Sequence, residues 1–264
     1  IKGQRVVAII QARMGSTRLP GKVLADLAGA PMVVRVTERV SRAHLVDQVV
    51  LAVPASRENR CLAKLFPAVT RSWSGVVGVP GGREVAVWTA ASKDRNENDV
   101  LGRYLDVANW TNADIVVRVT ADCPFVDPAF VDACAYAVGW CGREYASTVL
   151  PPGNVLPEGL DVEAFPAALL AVADHFARTE AREHVTPMVI KLASARSTVR
   201  DETGGKSYAH VHWSVDTAED LAFARRVYEH FAPRTDFGWR EILAFTGEHG
   251  IPLVTAGESP EQET

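Results

Sequence analysis

The chain has 264 residues, of which 47% are hydrophobic, and a formal net charge of −4 at pH 7. This length and hydrophobic content are enough for one large α/β domain, or two small ones, with a substantial buried core. The acidic balance argues against a general nucleic-acid-binding or membrane-surface protein, because such proteins need a broad basic face. No apolar run reaches the length of a membrane span, and no signal-peptide pattern is present.

The cysteines give an expectation about the cellular compartment. There are four of them, at Cys61, Cys123, Cys134 and Cys141. They form no CxxC motif and are too sparse for a secreted disulfide scaffold. We therefore expect reduced cysteines, mostly in the core, in a cytoplasmic protein. Because the first residue is Ile1 and not Met, we also expect that the chain is trimmed or is one domain of a longer protein.

Apolar, strand-like runs alternate with helix-like segments, a pattern that is typical of a sheet covered on both faces. The predicted strands are Val6–Ala12, Gln48–Val53, Ile115–Val119, Tyr145–Val149 and Val211–Val215. The predicted helices are Pro31–Ala43, Arg57–Phe66, Val100–Trp110, Pro128–Trp140, Pro166–Phe176, Ala218–Phe231 and Trp239–His249. Asp127 before Pro128 reads as a helix cap, and Thr217 with Asp220 reads as a capping box.

The segments between these elements predict a single domain over residues 1–256. Within it, residues from about 150 to 207 are expected to project as an acceptor-binding or dimerisation segment. Ser74–Asn98 is rich in glycine and then highly polar, so we expect a surface excursion there. The polar tail Gly257–Thr264 is expected to be frayed.

The segment from Ile9 to Lys22 reads IIQARMGSTRLPGK, an apolar strand that runs into a loop with two glycines, two hydroxyls and three cations. Glycines let backbone N–H groups approach a polyanion, and arginine and lysine add positive charge. We therefore predict a phosphate-binding loop. It is not a Walker loop, because five residues separate Gly15 from Gly21 and Val23 follows Lys22. A basic surface turn is the alternative.

Two aspartates follow predicted strands. Asp122 comes after Ile115–Val119, and Asp216 comes after Val211–Val215. Ligands of open α/β sheets collect at the carboxyl ends of strands, so we expect both carboxylates near the cationic loop. Mg²⁺ is typically held by one or two carboxylates plus phosphate oxygens, which predicts a metal–polyphosphate site. The alternatives are a turn residue at Asp122 and an acid at a helix N-terminus at Asp216.

A set of motifs occurs in one order along the chain: IIQARMGSTRLPGKVL, NDVLGRY, VVRVTADCPFVDP, GLDVEAF, REHVTP and SVDTAEDL. In this order they resemble the SpsF-like branch of the cytidylyltransferases, which is related to the enzymes that activate acylneuraminate and 3-deoxy-manno-octulosonate with CTP. The resemblance covers nearly the whole chain, and the combination is specific although each motif alone is weak. It implies a nucleotide-diphospho-sugar transferase-like (Rossmann-like) fold, a three-layer α/β/α sandwich with a mostly parallel mixed sheet.

The resemblance also implies roles for individual residues. The nucleotide-binding positions that it implies are Ala12, Arg13, Gly15, Ser16, Arg18, Lys22, Asp99, Arg103 and Asp122. The implied metal-binding positions are Asp122 and Asp216, which together with Arg13 and Lys22 make up the implied catalytic set. The implied acceptor-binding positions are Glu158, Asp161, Glu163, Arg182 and His184.

The implied reaction is a Mg²⁺-dependent transfer of CMP from CTP to an acidic acceptor, a sugar acid or a phosphonate, with release of pyrophosphate. The protein would supply alignment and electrostatics, without a covalent intermediate. Two alternatives stay open, a glycosyltransferase with a nucleotide-sugar donor and a catalytically silent nucleotide-binding domain. We also expect a homodimer, with neither nucleic acid nor a membrane as partner.

The stretch before the NDVLGRY motif departs from the family's pattern. Family members usually carry an Arg-Gly-acidic stretch there, whereas Lys93–Asn98 lacks the glycine and extra residues, about Gly81–Ser92, precede it. We expect a changed edge of the nucleotide or acceptor pocket. The hypothesis is that the extra segment closes over an unusual acceptor.

Overall fold

The computed structural model describes residues 3–65, 76–78, 82, 84–89, 97–149, 155–178, 180–199 and 206–249. The strands within these ranges are β1 (Val6–Gln11), β2 (Asp26–Leu27), β3 (Ala30–Pro31), β4 (Gln48–Val53), β5 (Val76–Gly78), β6 (Glu84–Thr89), β7 (Ile115–Thr120), β8 (Tyr145–Ser147), β9 (Glu163–Pro166) and β10 (Arg196–Thr198). The α-helices are α1 (Met32–Ser41), α2 (Arg60–Lys64), α3 (Val100–Thr111), α4 (Pro128–Gly139), α5 (Ala167–Phe176), α6 (Glu180–His184), α7 (Thr186–Leu192), α8 (Ala218–Phe231) and α9 (Trp239–Glu248). A single 3-10 turn covers Lys22–Leu24.

One mixed sheet organises the described residues, with the strand order β10-β8-β9-β7-β1-β4-β6-β5. Its central strand, β1, pairs in parallel with β4 and β7, so Ile9 lies opposite both Val50 and Arg118. Residues Val6–Ile10 are completely buried. A continuous apolar run of this kind is what a parallel strand needs when both faces of the sheet are covered. The antiparallel strands are β5 at one edge and β9 between β7 and β8.

Helices cover both faces of this sheet. Ala8 and Ile10 of β1 point into a core that includes residues of α1, α4, α8 and α9. Val7 and Ile9 point into a second core with residues of α3, α5 and α7. The alternation follows from the two-residue period of a strand. The predicted three-layer α/β/α sandwich with a mostly parallel mixed sheet is confirmed.

Two helices next to the predicted site begin at the capping signals found in the sequence. The Asp127 side chain accepts a hydrogen bond from the N–H of Ala129 at 3.0 Å, at the start of α4. Thr217 and Asp220 form the predicted capping box at the start of α8. These caps fix the two turns that leave the carboxyl-end side of the sheet. The bounds of β4 and α8 also agree with the sequence prediction.

The expectation that Ser74–Asn98 forms a surface excursion is wrong for β6. This strand pairs in parallel with β4, and Val85–Trp88 are buried. Its apolar run is short and lies between glycine-rich and polar stretches, which hides it in the sequence. The hypothesis that Gly81–Ser92 closes over an acceptor is therefore wrong for β6, because this part of the segment is a buried strand of the sheet. The positions 90–96 lie outside the described residues.

Two other expectations are also corrected. The run Val211–Val215 is not a strand, and His212 makes only an isolated bridge to Glu158. The segment from about 150 to 207 does not simply project, because it supplies β9 and β10 to the sheet and α5 and α7 to the core around α3. The apolar pattern of β9 covers only four residues, which is too short to predict a strand.

Three further expectations concern membrane spans, the cysteines and the C-terminal tail. No helix in the described ranges is long and apolar enough to cross a membrane. All the cysteines are free, but only Cys123 and Cys134 are buried, so the expected core location is right for half of them. The predicted frayed tail, Gly257–Thr264, lies outside the described residues.

Candidate active site

The loop after β1 is folded back by its own backbone. The carbonyl oxygen of Met14 accepts hydrogen bonds from the N–H groups of Ser16 and Gly21, at 3.0 and 3.2 Å. Gly21 has a φ of 73°, in the left-handed region that favours glycine. The side-chain oxygen of Asn59 accepts a hydrogen bond from the N–H of Met14 at 2.7 Å. These contacts fasten the loop beside the carboxyl ends of β1 and β4.

Lys22, at the end of this loop, joins three segments at the carboxyl edge of the sheet. Its Nζ donates to carboxylate oxygens of Asp122 at 2.8 Å and of Asp216 at 2.9 Å. It also donates to the carbonyl oxygen of Val215 at 2.7 Å. An ammonium group has three donors, so these contacts use all of them. Lys22 is only 9% exposed, and such charge-assisted bonds are strong where water is excluded.

The Lys22 cluster changes the pKa values of its members. Burial alone would lower the pKa of Lys22, but the charges of Asp122 and Asp216 outweigh burial and raise it. Burial alone would raise the pKa of Asp122, but the adjacent ammonium of Lys22 outweighs burial and lowers it. Lys22 is therefore the cation that Asp122 and Asp216 share.

The two arginines of the loop are also held by acids at the cavity. The Arg18 guanidinium lies 2.9 Å from Asp216, and its side chain is 66% exposed. Arg13 donates to Glu183 at 3.2 Å and to the side-chain oxygen of Asn98 at 3.0 Å. Exposed ion pairs contribute little to stability. Both guanidiniums can therefore exchange these partners for a stronger anion at low cost.

A cavity of about 360 Å³ lies between the loop, the ends of β1 and β7, and the helices α3 and α6. Its predicted lining residues are Ala12, Arg13, Gly15, Ser16, Arg18, Lys22, Arg103, Asp122, His184 and Asp216. Its lining also includes residues that the sequence reasoning did not assign: Gln11, Thr17, Val23, Val100, Arg118, Thr120, Ala121 and Glu183. Arg118 did carry a signal, because a charged residue inside an apolar buried strand needs a reason.

Asp99 and Arg182 are not part of the described cavity lining, because they bind each other and their own neighbours. Asp99 caps α3 by accepting from the N–H of Gly102 at 3.1 Å, and it accepts from Arg182 Nε at 2.9 Å. Arg182 also donates to a carboxylate oxygen of Asp174 at 2.7 Å. These contacts fasten α6 to the start of α3 and so position Glu183, which lines the cavity.

Glu163, predicted to bind the acceptor, has both carboxylate oxygens occupied. Arg118 Nη1 donates to one oxygen and the hydroxyl of Tyr145 donates to the other. Glu163 is only 6% exposed and is not part of the described lining. Of Arg118 and Glu163, it is Arg118 that lines the cavity.

Glu158 and Asp161 are likewise engaged elsewhere and are not part of the described lining. Glu158 lies 3.0 Å from His212 Nδ1. Asp161 accepts a hydrogen bond from the N–H of Gly159 at 3.1 Å, and burial raises the pKa of Asp161 to about 7. Of the predicted acceptor-binding residues, the structure therefore brings His184 to the cavity.

The donor set at the carboxyl edge fits Mg²⁺. Asp122 and Asp216 both reach one small cation, the ammonium of Lys22, at 2.8 and 2.9 Å, so their oxygens can converge on a single ion. Within the described ranges, no cluster of three or more acidic, histidine or cysteine side chains could hold a metal by itself. Mg²⁺ does not need such a cage, since it takes one or two carboxylates and completes its shell with water and substrate phosphate.

Known cytidylyltransferases are similar to this chain in sequence. Residues 7–70 match the family model described as Cytidylyltransferase. The 3-deoxy-manno-octulosonate cytidylyltransferase of Trichlorobacter lovleyi is 37% identical over 128 residues, which are 48% of this chain and 42% of that protein. The 3-deoxy-manno-octulosonate cytidylyltransferase 2 of Burkholderia ambifaria is 32% identical over 176 residues, which are 67% of this chain and 58% of that protein.

The chain is similar in sequence to cytidylyltransferases, over residues 7–70 for the family model and over 48% and 67% of its length for these two relatives. The family resemblance inferred from the motifs is thereby confirmed. The chain spans less than half the length of the first of these relatives, with 42% of it covered.

Solved structures share the fold of this chain. A cytidylyltransferase from Leptospira borgpetersenii superimposes with a TM-score of 0.79 at 23% identity, covering 97% of this chain and 100% of that one. A CMP:2-keto-3-deoxy-manno-octonic acid synthetase complexed with CTP gives a TM-score of 0.58 at 17% identity, covering 86% and 99%. Identities this low show a common fold.

Proposed function

We propose that this chain transfers CMP from CTP to an acidic acceptor, a sugar acid or a phosphonate, with Mg²⁺ as cofactor and pyrophosphate as the second product. The observation that carries the proposal is the convergence of the cations of the β1 loop with Asp122 and Asp216 on one cavity. Cations and carboxylates side by side suit a triphosphate that brings its own metal. The names of the relatives support CTP as the donor. A cytoplasmic homodimer stays a prediction from the sequence.

The donor is bound by an exchange of ion pairs. Arg13 and Arg18 hold Glu183 and Asp216 at the cavity. A triphosphate offers several charged oxygens to each guanidinium, and bidentate arginine–phosphate contacts are stronger than single contacts to a carboxylate. CTP therefore takes over both arginines. Asp216 is then released toward a metal ion, while Lys22 keeps it close to Asp122.

The chemical step is an in-line substitution at the α-phosphorus. An acceptor oxygen forms the new bond, the bond to the oxygen that bridges the α- and β-phosphates breaks, and its electron pair leaves on pyrophosphate. If the acceptor oxygen is a hydroxyl, its proton goes to solvent. Mg²⁺ held by Asp122 and Asp216 would offset negative charge on the α-phosphate. Arg13 and Arg18 stabilise the leaving pyrophosphate, so the chain acts through alignment and electrostatics.

A pyrophosphate-release screen tests the proposal. Each common nucleoside triphosphate is paired with 3-deoxy-manno-octulosonate, other sugar acids and simple phosphonates, with and without Mg²⁺. We expect release only with CTP, an acid and Mg²⁺ together. Consumption of a preformed nucleotide-sugar without pyrophosphate release would indicate a glycosyltransferase instead.

Matched aspartate variants connect the activity to the site. Asp122→Asn and Asp216→Asn are expected to lower turnover at least about a hundredfold, because each removes a charged ligand at the reacting phosphate. The control is Asp236→Asn, since Asp236 is 63% exposed and pairs only with Arg234 among the described ion pairs. Full turnover in both site variants would contradict the proposal.

A further inference from the structure

Arg118 lines the cavity on the side of β9. It lies on β7, four residues before Asp122, and in register with Glu163 of β9. In the strand order, β9 lies beyond β7 from β1, whereas the phosphate-binding loop is fastened to the β4 side through Asn59. If that loop holds the nucleotide, the β7–β9 side of Asp122 remains open for the molecule that attacks the α-phosphate.

The Arg118 side chain is rigid but has an unused donor. Its Nη1 is held by Glu163, whose other oxygen is held by Tyr145. Its Nε, by contrast, is buried and has no hydrogen-bond partner among the described residues. Leaving such a donor unsatisfied is costly, because the group has lost its hydrogen bonds to water. Buried polar groups without partners are uncommon in native structures, and this one belongs to a residue that lines a cavity.

Gln11 presents a second unused group on the same face of the sheet. Gln11 ends β1 and lies opposite Thr120, two residues after Arg118 on β7. Side chains two residues apart along a strand share a face, so Gln11 and Arg118 point to the same side. The Gln11 Oε1 is also buried without a hydrogen-bond partner among the described residues, and Gln11 lines the same cavity. Arg103 Nε is a third such group at this cavity, so the described lining offers two buried donors, on Arg118 and Arg103, and one buried acceptor, on Gln11.

The charge balance of this part of the cavity favours an anion. Glu163 balances Arg118, but Arg103 of α3 also lines the cavity and is only 3% exposed. Arg103 donates to the backbone carbonyl of Glu97, and no carboxylate within the described ranges forms an ion pair with it. Two guanidiniums therefore share this part of the cavity, and among the described ion pairs only Arg118 is matched by a carboxylate, that of Glu163. Glu97 and Asp99 act on Arg103 at longer range. An anionic ligand would give these guanidiniums a further, direct charge partner.

We propose that Arg118 binds the acid group of the acceptor through its free Nε and that Gln11 Oε1 accepts a hydrogen bond from a hydroxyl of the same molecule. The acceptor class is accordingly a hydroxy acid, with a carboxylate or phosphonate as the acid group. Glu163 and Tyr145 are positioning residues, because they hold the guanidinium without reaching the ligand. The inference rests on the proposed function and names the substrate class of that site.

The test separates acceptor recognition from CTP recognition. Initial rates of pyrophosphate release are measured with CTP and either 3-deoxy-manno-octulosonate or its methyl ester, which lacks the acid charge. The variant is Arg118→Gln combined with Glu163→Gln, so that no buried charge is left alone. We expect the KM for the acid to rise by about ten- to a hundredfold, as a charge-assisted bond of about 1.5–3 kcal/mol implies. The KM for CTP is expected to stay within about twofold, and the preference for acid over ester should disappear.

Two further variants guard against a purely structural effect. Tyr145→Phe removes the hydroxyl that holds Glu163 but keeps Arg118, so it should lower thermal stability slightly, leave the KM for CTP unchanged and raise the KM for the acid by less than the double variant does. Arg103→Gln, on the α3 side, should raise the KM for CTP more than that for the acid. A double variant that binds CTP and melts cooperatively, yet keeps the wild-type KM for the acid and the preference over the ester, would overturn the inference.

Failure of the proposed function gives a different result. A wild-type protein that neither binds CTP nor releases pyrophosphate from it refutes the proposed function itself. If the wild type binds CTP but turns over no probe, binding of 3-deoxy-manno-octulosonate and of phosphonoacetate to the CTP complex is measured by titration calorimetry. Binding that is lost in the double variant supports the Arg118 assignment. Absence of binding by the wild type would refute it.

Discussion

At the scale of single residues, Lys22 lies at the point where two carboxylates meet. The family resemblance implies a nucleotide-binding role for it, and in the structure all three of its donors bind Asp122, Asp216 and Val215. It holds two carboxylates at one point, where they would otherwise repel each other. The ammonium thereby keeps together the carboxylate oxygens that we propose to hold Mg²⁺.

This role predicts the behaviour of Lys22→Met. The variant leaves two adjacent carboxylates without their cation, so we expect its free energy of unfolding to fall by roughly 2 kcal/mol. This is less than the loss for a fully buried pair, because Asp122 is partly exposed. Millimolar Mg²⁺ should replace the missing charge and restore part of the loss. Differential scanning calorimetry with and without Mg²⁺ checks this. A melting temperature of the variant that gains no more from Mg²⁺ than the wild type would contradict the role.

At the scale of elements, the segment that carries Asp216 is fastened to a loop and not to a sheet neighbour. Trp213 donates its N–H to the carbonyl of Glu158 at 2.8 Å, and Glu158 donates its N–H to the carbonyl of Val211 at 2.9 Å. Gly159 makes this approach possible, because a Cβ added there would lie 2.4 Å from the N of Ser214. Gly159 also has a φ of 99°, which side chains rarely adopt.

Gly159→Ala is therefore expected to be severe. Overpacking against backbone together with an unfavourable φ should cost roughly 3 kcal/mol or more and lower turnover by displacing Asp216. The matched control is Gly142→Ala, which has a φ of 62° but no atom within 4 Å of the added Cβ. It should cost only about 1 kcal/mol and leave turnover unchanged. Denaturant unfolding and steady-state rates check both, and equal losses in the two variants would argue against the docking role.

Asp161, in the same loop as Glu158 and Gly159, predicts that stability depends on pH. Burial raises the pKa of Asp161 to about 7, whereas its ordinary value is 3.8, so the folded chain binds this proton more tightly than the unfolded chain. The contribution of Asp161 is therefore full below the unfolded pKa and is lost as the pH rises toward about 7. At about 1.4 kcal/mol per pKa unit, the loss is of the order of a few kcal/mol. The free energy of unfolding of Asp161→Asn should be close to that of the wild type at about pH 5 and should exceed it at about pH 8. Unfolding free energies that differ by a constant amount across this range would contradict it.

At the scale of the whole molecule, the parts predictable from sequence are those that depend on neighbouring residues. The β1 loop is one contiguous motif, and Asp122 directly follows β7, so both could be placed at the carboxyl edge from the pattern alone. The pairing of Arg182 with Asp99 spans 83 residues, and no local pattern shows that these two side chains neutralise each other. The strand β6 stayed hidden because its short apolar run lies between glycine-rich and polar stretches.

The layout of the sheet places the groups that the proposed function requires at one edge. The loop after the central strand β1 and the start of α3 line the cavity, and Arg118 lies toward β9. Asp122 and Asp216 line the same cavity. Under the proposed function, the carboxyl edge of the sheet brings a donor, an acceptor and Mg²⁺ to one point.

The most direct test of the central claim follows the phosphorus atoms. CTP labelled at either the α- or the γ-phosphate is incubated with the protein, Mg²⁺ and 3-deoxy-manno-octulosonate or another acid that is active in the screen, and the products are separated. We expect the α-label in a conjugate of CMP with the acid and the γ-label in pyrophosphate. An α-label that stays in CTP, or that appears only in free CDP or CMP, would contradict the account.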